Sequence, residues 1–155
     1  MISPVEPVSY SLPVTNARVL ALLRSHLSRA ATVLDICAGE GYLARQVHEL
    51  VVREGLAARV EACDLFPGNF RVAAVPCHAI DLHGGLPLDD QSVDLAYSVE
   101  VLEHLEDQFF FFREVHRVLR PGGRFVLTTP NVLSLTSRLR TLLAGFPELF
   151  GPLPI

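Results

Sequence analysis

Lysine is absent from this 155-residue chain: all 13 of its basic side chains are arginine. Without a lysine amine there is no Schiff base to a carbonyl or pyridoxal group, no phosphate-loop Gly-Lys-Ser/Thr and no kinase strand lysine, so those chemistries are excluded. Cysteine is scarce. Cys37, Cys63 and Cys77 make neither an even set nor a CxxC pair, which suits a reducing compartment and predicts a cytoplasmic protein. No stretch reaches the ~18 apolar residues of a membrane span, and the opening MISPVEPVSYSLP lacks a basic region followed by an apolar run. Neither a membrane segment nor that secretory route is expected. An excess of positive charge is missing too: the formal net charge of −4 offers no general attraction for nucleic acid or anionic lipid.

What the chain does have is apolar substance. Half of it is hydrophobic and 19% is charged, with a mean hydropathy of +0.34, so it fits one folded domain with a sizeable core. Residues 1–14, with Pro4, Pro7 and Pro13, read as an irregular arm, and residues 15–155 as a single domain. A helix capped by Thr15 or Asn16 follows, with Val19, Leu20, Leu22, Leu23 and Leu27 at helical spacing. The period then changes. ATVLDI (31–36) reads as a strand that runs into a glycine turn, and Tyr42 to Arg53 returns to helical spacing, stopped by Gly55. Further strands are predicted at 58–64, 75–81, 94–99 and 124–129, and helices at 108–120 and 133–144. Alternating elements of this kind predict an α/β fold: a Rossmann-like, doubly wound, mostly parallel sheet with helices on both faces, in three α/β/α layers.

The most informative stretch is VLDICAGEGYLA (33–44). A buried strand delivers Asp35 to its carboxyl end, and Gly39 and Gly41 let the backbone approach a ligand before the next helix begins. A nucleotide-like ligand belongs there. A dinucleotide fingerprint needs G-x-G-x-x-G directly after the strand, whereas here Asp35 comes first and only two glycines follow, which disfavours a nicotinamide-dependent oxidoreductase.

These residues resemble the first motif of class I S-adenosylmethionine-dependent methyltransferases, roughly two hydrophobic residues and then D-x-G-x-G-x-G, with Cys37 replacing the first glycine. LPLDDQSVDLAYSVEVLEHL (86–105) and REVHRVLRPGGRFVLTTPN (113–131) resemble the same family's fourth-strand, helix and fifth-strand signature. The resemblance implies S-adenosylmethionine as cofactor. It places Asp35, Cys37, Ala38, Gly39 and Gly41 at the methionine end, Asp64 on the ribose hydroxyls, and Leu65 and Phe66 beside the adenosine. Asp81 and Leu82 would border the adenine, and Ser98 and Val99 would lie near the sulfonium. It also implies methyl transfer to an unidentified small-molecule acceptor, a non-catalytic cofactor-binding or partner-regulating module being the alternative.

Glu100, Glu103 and His104 are spaced i, i+3 and i+4, which puts them on one face of a helix. EVLEH resembles the metal-binding segment of small-RNA 2′-O-methyltransferases and of ubiquinone-pathway O-methyltransferases. A further ligand is not evident, so no metal is expected, and His104 is assigned instead to the acceptor side as general base. Phe109 to Phe112 exceed what one helix stripe buries, so one or two could cover a cleft or a partner, although core packing is the preferred reading. The arginines between Arg113 and Arg140 are read as a solvated helix face or an attraction for an anionic acceptor. The family's sheet closes with two more strands after the fifth, and these are expected to be missing here. Either the chain is a piece of a longer enzyme, or the open edge of the fifth strand is covered by the 133–150 segment or by a second copy in a homodimer.

Overall fold

The computed structural model describes residues 6–81, 84–131 and 135–144. Its order is α1 (Pro13–Leu27), β1 (Thr32–Ile36), α2 (Tyr42–Arg53), β2 (Arg59–Asp64), β3 (Cys77–Ala79), β4 (Val93–Val99), α3 (Gln108–Val118), β5 (Leu119–Thr128) and α4 (Leu135–Ala144). The five strands form one sheet in the order β3-β2-β1-β4-β5, with every pair parallel. Parallel strands need cover on both faces, and the sequence supplies it. All five residues of β1 are buried. Val33 joins the core under α1 and α2 with Leu23, Val47 and Tyr97, while Leu34 and Ile36 join the core under α3 with Phe111, Val115 and Val118. The three-layer α/β/α architecture expected from the alternation is the one observed.

The structure differs from the sequence reading in several places. Helix α1 begins at Pro13 with Leu12 at its N-cap and no side-chain cap, because proline at the first helical position gives up an N–H that had no partner anyway. Asn16 lies inside the helix, buried. Leu22, placed on the apolar stripe, is exposed. Strand β3 is three residues long, so Asp81 lies beyond it in a turn where its carbonyl accepts from Gly84 and Gly85 N–H. Helix α3 stops at Val118, and the Pro121-Gly122-Gly123 stretch bulges out of the start of β5: Val93 pairs with Leu119 and Leu95 with Arg124. Of the four phenylalanines, Phe111 is core, Phe112 stacks edge-on with Phe111 and Phe125, Phe110 lies under Arg113, and Phe109 is exposed.

The two signature segments are tied together by ion pairs at the floor of the sheet. Arg117 donates to the Leu86 and Leu88 carbonyls and to Asp90 and Glu114. Asp94 accepts from the Ala31 and Thr32 N–H groups at 2.9 Å each and from Arg120 at 2.6 Å. Arginines read as an attraction for an anionic acceptor are therefore partly neutralised within the fold. Burial alone would raise the Asp94 carboxyl, but its bonds to Arg120 and to the two backbone donors hold it below its ordinary range. Asp94→Ala leaves two N–H groups of the β1 entrance without an acceptor and should destabilise the fold by about 1–3 kcal/mol at pH 7, measured by urea unfolding. Arg120→Ala should cost less, because Asp94 still receives both N–H groups. The difference should shrink as pH falls and Asp94 is protonated, since a neutral carboxyl accepts the same N–H bonds more weakly.

Candidate functional site

The chain leaves β1 to build outward through β2 and β3, then returns to place β4 on the other side of β1. The carboxyl ends of β1 and β4 diverge at that reversal and open a crevice. A cleft of about 180 Å³ lies there, lined among others by Asp35, Cys37, Ala38 and Gly39 on one side, Val99, Glu100 and Val101 on the other, and Val8 to Ser11 of the arm. Next to it, sharing Tyr10, Ser11, Val99 and Glu100, is a second cleft of about 220 Å³ that adds Glu103, His104 and Pro130.

The turn after β1 is held from below. Cys37 and Ala38 N–H donate to the Cys63 carbonyl, and Gly39 N–H donates to Asp64 Oδ2 at 2.8 Å. Asp64 Oδ1 accepts from Phe66 N–H, also at 2.8 Å. One carboxylate thus fixes both the β1 turn and the exit of β2. Cys37 stands at φ +62°, a left-handed conformation disfavoured by a side chain, where the resembled motif has glycine. Its thiol is pushed up to about 12 by burial, with Asp64 and Asp35 adding to the rise, so no nucleophile is present there. The two glycines differ in purpose. A Cβ on Gly39 would meet only the Tyr10 ring at 3.8 Å, leaving the backbone accessible. On Gly41 it would strike Phe70 at 2.6 Å and Val72 at 2.7 Å. Gly41, expected like Gly39 to face the ligand, also makes room for the 70–72 loop, and of the two only Gly39 lines the cleft.

Of the other assigned residues, Asp35 and Val99 line the cleft, whereas Asp64, Leu65, Phe66, Asp81 and Ser98 are not part of its lining. Asp35 lies at its floor, and Leu65 and Phe66, 46% and 66% exposed, stand beside Asp64. Asp81 is in the turn past β3, and Leu82 lies outside the described residues. Ser98 is fully buried and donates its hydroxyl to the Ile36 carbonyl, bracing β4 against β1 instead of lining the cleft. Glu100, Glu103 and His104 do not share a helix face. Glu100 sits at φ +56° with its N–H on the Thr128 carbonyl, and Leu102–His104 make a single 3-10 turn. All three nonetheless line the second cleft. Among the described residues no group of three or more His, Cys, Asp or Glu side chains is placed to hold a metal ion.

Asp35 is 4% exposed and pairs in register with Tyr97. Burial pushes its carboxyl up to about 7; Asp64 adds to the rise, while the Tyr97 hydroxyl and Ala44 N–H oppose it. The Tyr97 hydroxyl, equally buried, meets no acceptor at full hydrogen-bonding geometry. Asp35 and Tyr97 thus make a buried polar pair at the pocket floor. Between an ordinary carboxyl value of 3.8 and about 7 the unfolded chain has released a proton that the folded chain keeps. Stability therefore falls as pH rises through that window and levels off above it. Asp35→Asn should flatten this fall and leave the protein more stable than the parent at pH 8 by about 2–4 kcal/mol, measured by urea unfolding at pH 5 and pH 8.

Residues 34–127 match the family model described as a methyltransferase domain. A Mycolicibacterium smegmatis protein named a "probable S-adenosylmethionine-dependent methyltransferase" is 34% identical over 79% of this chain and 47% of its own length. A ubiquinone biosynthesis O-methyltransferase of Methylobacterium sp. is 33% identical over 64% of this chain and 41% of its own. Among solved structures, an S-adenosylmethionine-dependent methyltransferase from Mesorhizobium loti superposes with a TM-score of 0.59 at 30% identity, covering 72% of this chain and 51% of that one. The chain spans about half the length of the first of these relatives. With the reversal of strand order, the acid-ended β1 and the turn clamped by Asp64, these likenesses identify the chain as a member of the methyltransferase-domain family, the class I S-adenosylmethionine-dependent methyltransferases.

Proposed function

We propose that the crevice between β1 and β4 binds S-adenosylmethionine and that the protein transfers its methyl group to a small-molecule acceptor entering through the second cleft. The observation that carries this reading is the Asp64 clamp on the turn after β1, beside the cleft that Asp35, Cys37, Ala38 and Gly39 line. Each Asp64 oxygen accepts one backbone N–H and keeps a lone pair for another donor, which suits the two hydroxyls of a ribose. Asp35, with Tyr97 behind it, offers the methionine end a carboxylate with unspent bonding capacity, and Cys37, Ala38 and Gly39 supply its wall. The exposed faces of Leu65 and Phe66 suit an adenosine, with Asp81 and Leu82 assigned to the adenine side. Val99 borders the sulfonium position and Ser98 holds that strand end in register. The donor set fits the cofactor without a metal.

Bound there, S-adenosylmethionine supplies an activated methyl carbon. The chain's part is alignment and exclusion of water, which in favourable intramolecular reactions is worth on the order of 7–11 kcal/mol. His104, on the acceptor cleft, is the group proposed to take a proton from an acceptor hydroxyl. A hydroxyl acceptor accords with the ubiquinone-pathway relative, an O-methyltransferase by name. The outer edge of β5, which has no strand partner among the described residues, is the proposed place for a second copy to associate. Among the described residues no helix is long and apolar enough to cross a membrane, and we assign the protein to the cytoplasm on its free cysteines. The net charge of −4 supports an acceptor other than nucleic acid.

Calorimetry with S-adenosylhomocysteine tests the cofactor site. Asp64→Ala should weaken binding by about 1–3 kcal/mol, since it leaves ribose hydroxyls and Gly39 N–H unpaired; an unchanged affinity removes Asp64 from the site. Methyl transfer to a panel of hydroxyl acceptors tests the activity and separates it from a non-catalytic binding module. His104→Ala should lower turnover by about 10²-fold or more with S-adenosylhomocysteine affinity intact, and full retention of turnover would remove the base.

A further inference from the structure

The arm before α1 reaches the site through specific bonds. Asn16, buried in the first turns of α1, donates to Ser9 Oγ at 2.6 Å, and Ser9 in turn bonds the Ser11 backbone. At its other end the arm is tied to the β1 turn. Glu40 accepts Val8 N–H on Oε2 and the Tyr10 hydroxyl on Oε1, at 3.1 Å each, and Arg71 Nε donates to the same Oε2 at 3.0 Å. Val8 and Tyr10 are thus held by a carboxylate adjacent to Gly39. The Tyr10 ring, 77% exposed, stands where a Gly39 Cβ would touch it at 3.8 Å. It is a wall of both clefts. An aromatic side chain kept exposed on a cavity wall, with its hydroxyl already bonded and its backbone anchored on both sides, presents a large contact face at little further entropic cost.

We propose that Tyr10 is a cofactor-contacting residue that closes the crevice over Gly39, with Glu40 as the positioning residue that pins its ring there. The proposal rests on the reading of the crevice as the S-adenosylmethionine site. It extends the site to a segment outside the 34–127 match, and it assigns Glu40, a turn residue, a role through the arm. Because Tyr10 also borders the Glu100, Glu103 and His104 cleft, the ring separates cofactor from acceptor on that side.

The test measures S-adenosylhomocysteine affinity and dissociation rate on the full chain, with hydrogen exchange of residues 6–12 and urea unfolding alongside. Tyr10→Ala should weaken binding about 5- to 20-fold, mostly through faster dissociation, with unfolding unchanged. Tyr10→Phe keeps the ring but not its tie and should fall between the two. Glu40→Ala should resemble Tyr10→Phe and raise exchange across residues 6–12, whereas Glu40→Gln should restore part of both. The ligand should slow exchange at 6–12 in the parent and not in Tyr10→Ala. If the parent binds and Tyr10→Ala binds equally well, the arm plays no part and this proposal alone falls. If the parent does not bind S-adenosylhomocysteine, the cofactor reading falls and takes this one with it.

Discussion

The carboxylate of Asp64 is the point on which the site turns. It belongs to β2, yet one of its oxygens holds the N–H of Gly39 in the turn that follows β1. Its other oxygen holds Phe66 at the exit of its own strand. Two parallel strands are thereby made to end in a common surface, and the N–H groups of Cys37 to Gly39 are all tied to the end of β2. Removing that acceptor would release a left-handed turn that is disfavoured at Cys37.

The crevice is polarised by a second arrangement. Asp35 and Tyr97 face each other from neighbouring strands, both withdrawn from solvent, and burial pushes the carboxyl up to about 7. The fold tolerates this pair because the sheet is covered on both sides: α1 and α2 close one face and α3 the other. Far from this pair, at the amino ends of the strands, Asp94, Arg117 and Arg120 tie the 86–94 and 113–124 segments together. The signature segments recognised in the sequence are therefore partly structural: one fastens the other.

Much of this architecture is legible in the amino-acid sequence. The switch from helical to strand spacing around residue 31 and back at Tyr42 marks β1 and α2, and the acid placed ahead of the turn separates this crevice from a dinucleotide site. Local geometry is where the pattern misleads. Glu100, Glu103 and His104 have a helical spacing, but the chain leaving β4 must deliver the Glu100 N–H to the Thr128 carbonyl on β5, and it does so through a left-handed residue that breaks the helix where it would start. Ser98 is assigned to the site by its position at a strand end, and only the packing of β4 on β1 turns its hydroxyl toward Ile36. Tyr10 carries no signal, because an arm with several prolines has no period to read and its bond to Glu40 spans about thirty residues of sequence, and Asn16, read as a cap, instead reaches back to Ser9.

The amino-acid sequence by itself determined the layering of the fold and the acid-then-glycine turn, since both follow from period, burial and backbone freedom within short windows. Tertiary structure alone decided which groups meet: that Asp64 clamps Gly39, that Gly41 yields space to Phe70 and Val72, and that Tyr10 lines the crevice. Those outcomes depend on strand order and on bonds between distant residues, and no local pattern encodes a partner that only packing brings within reach.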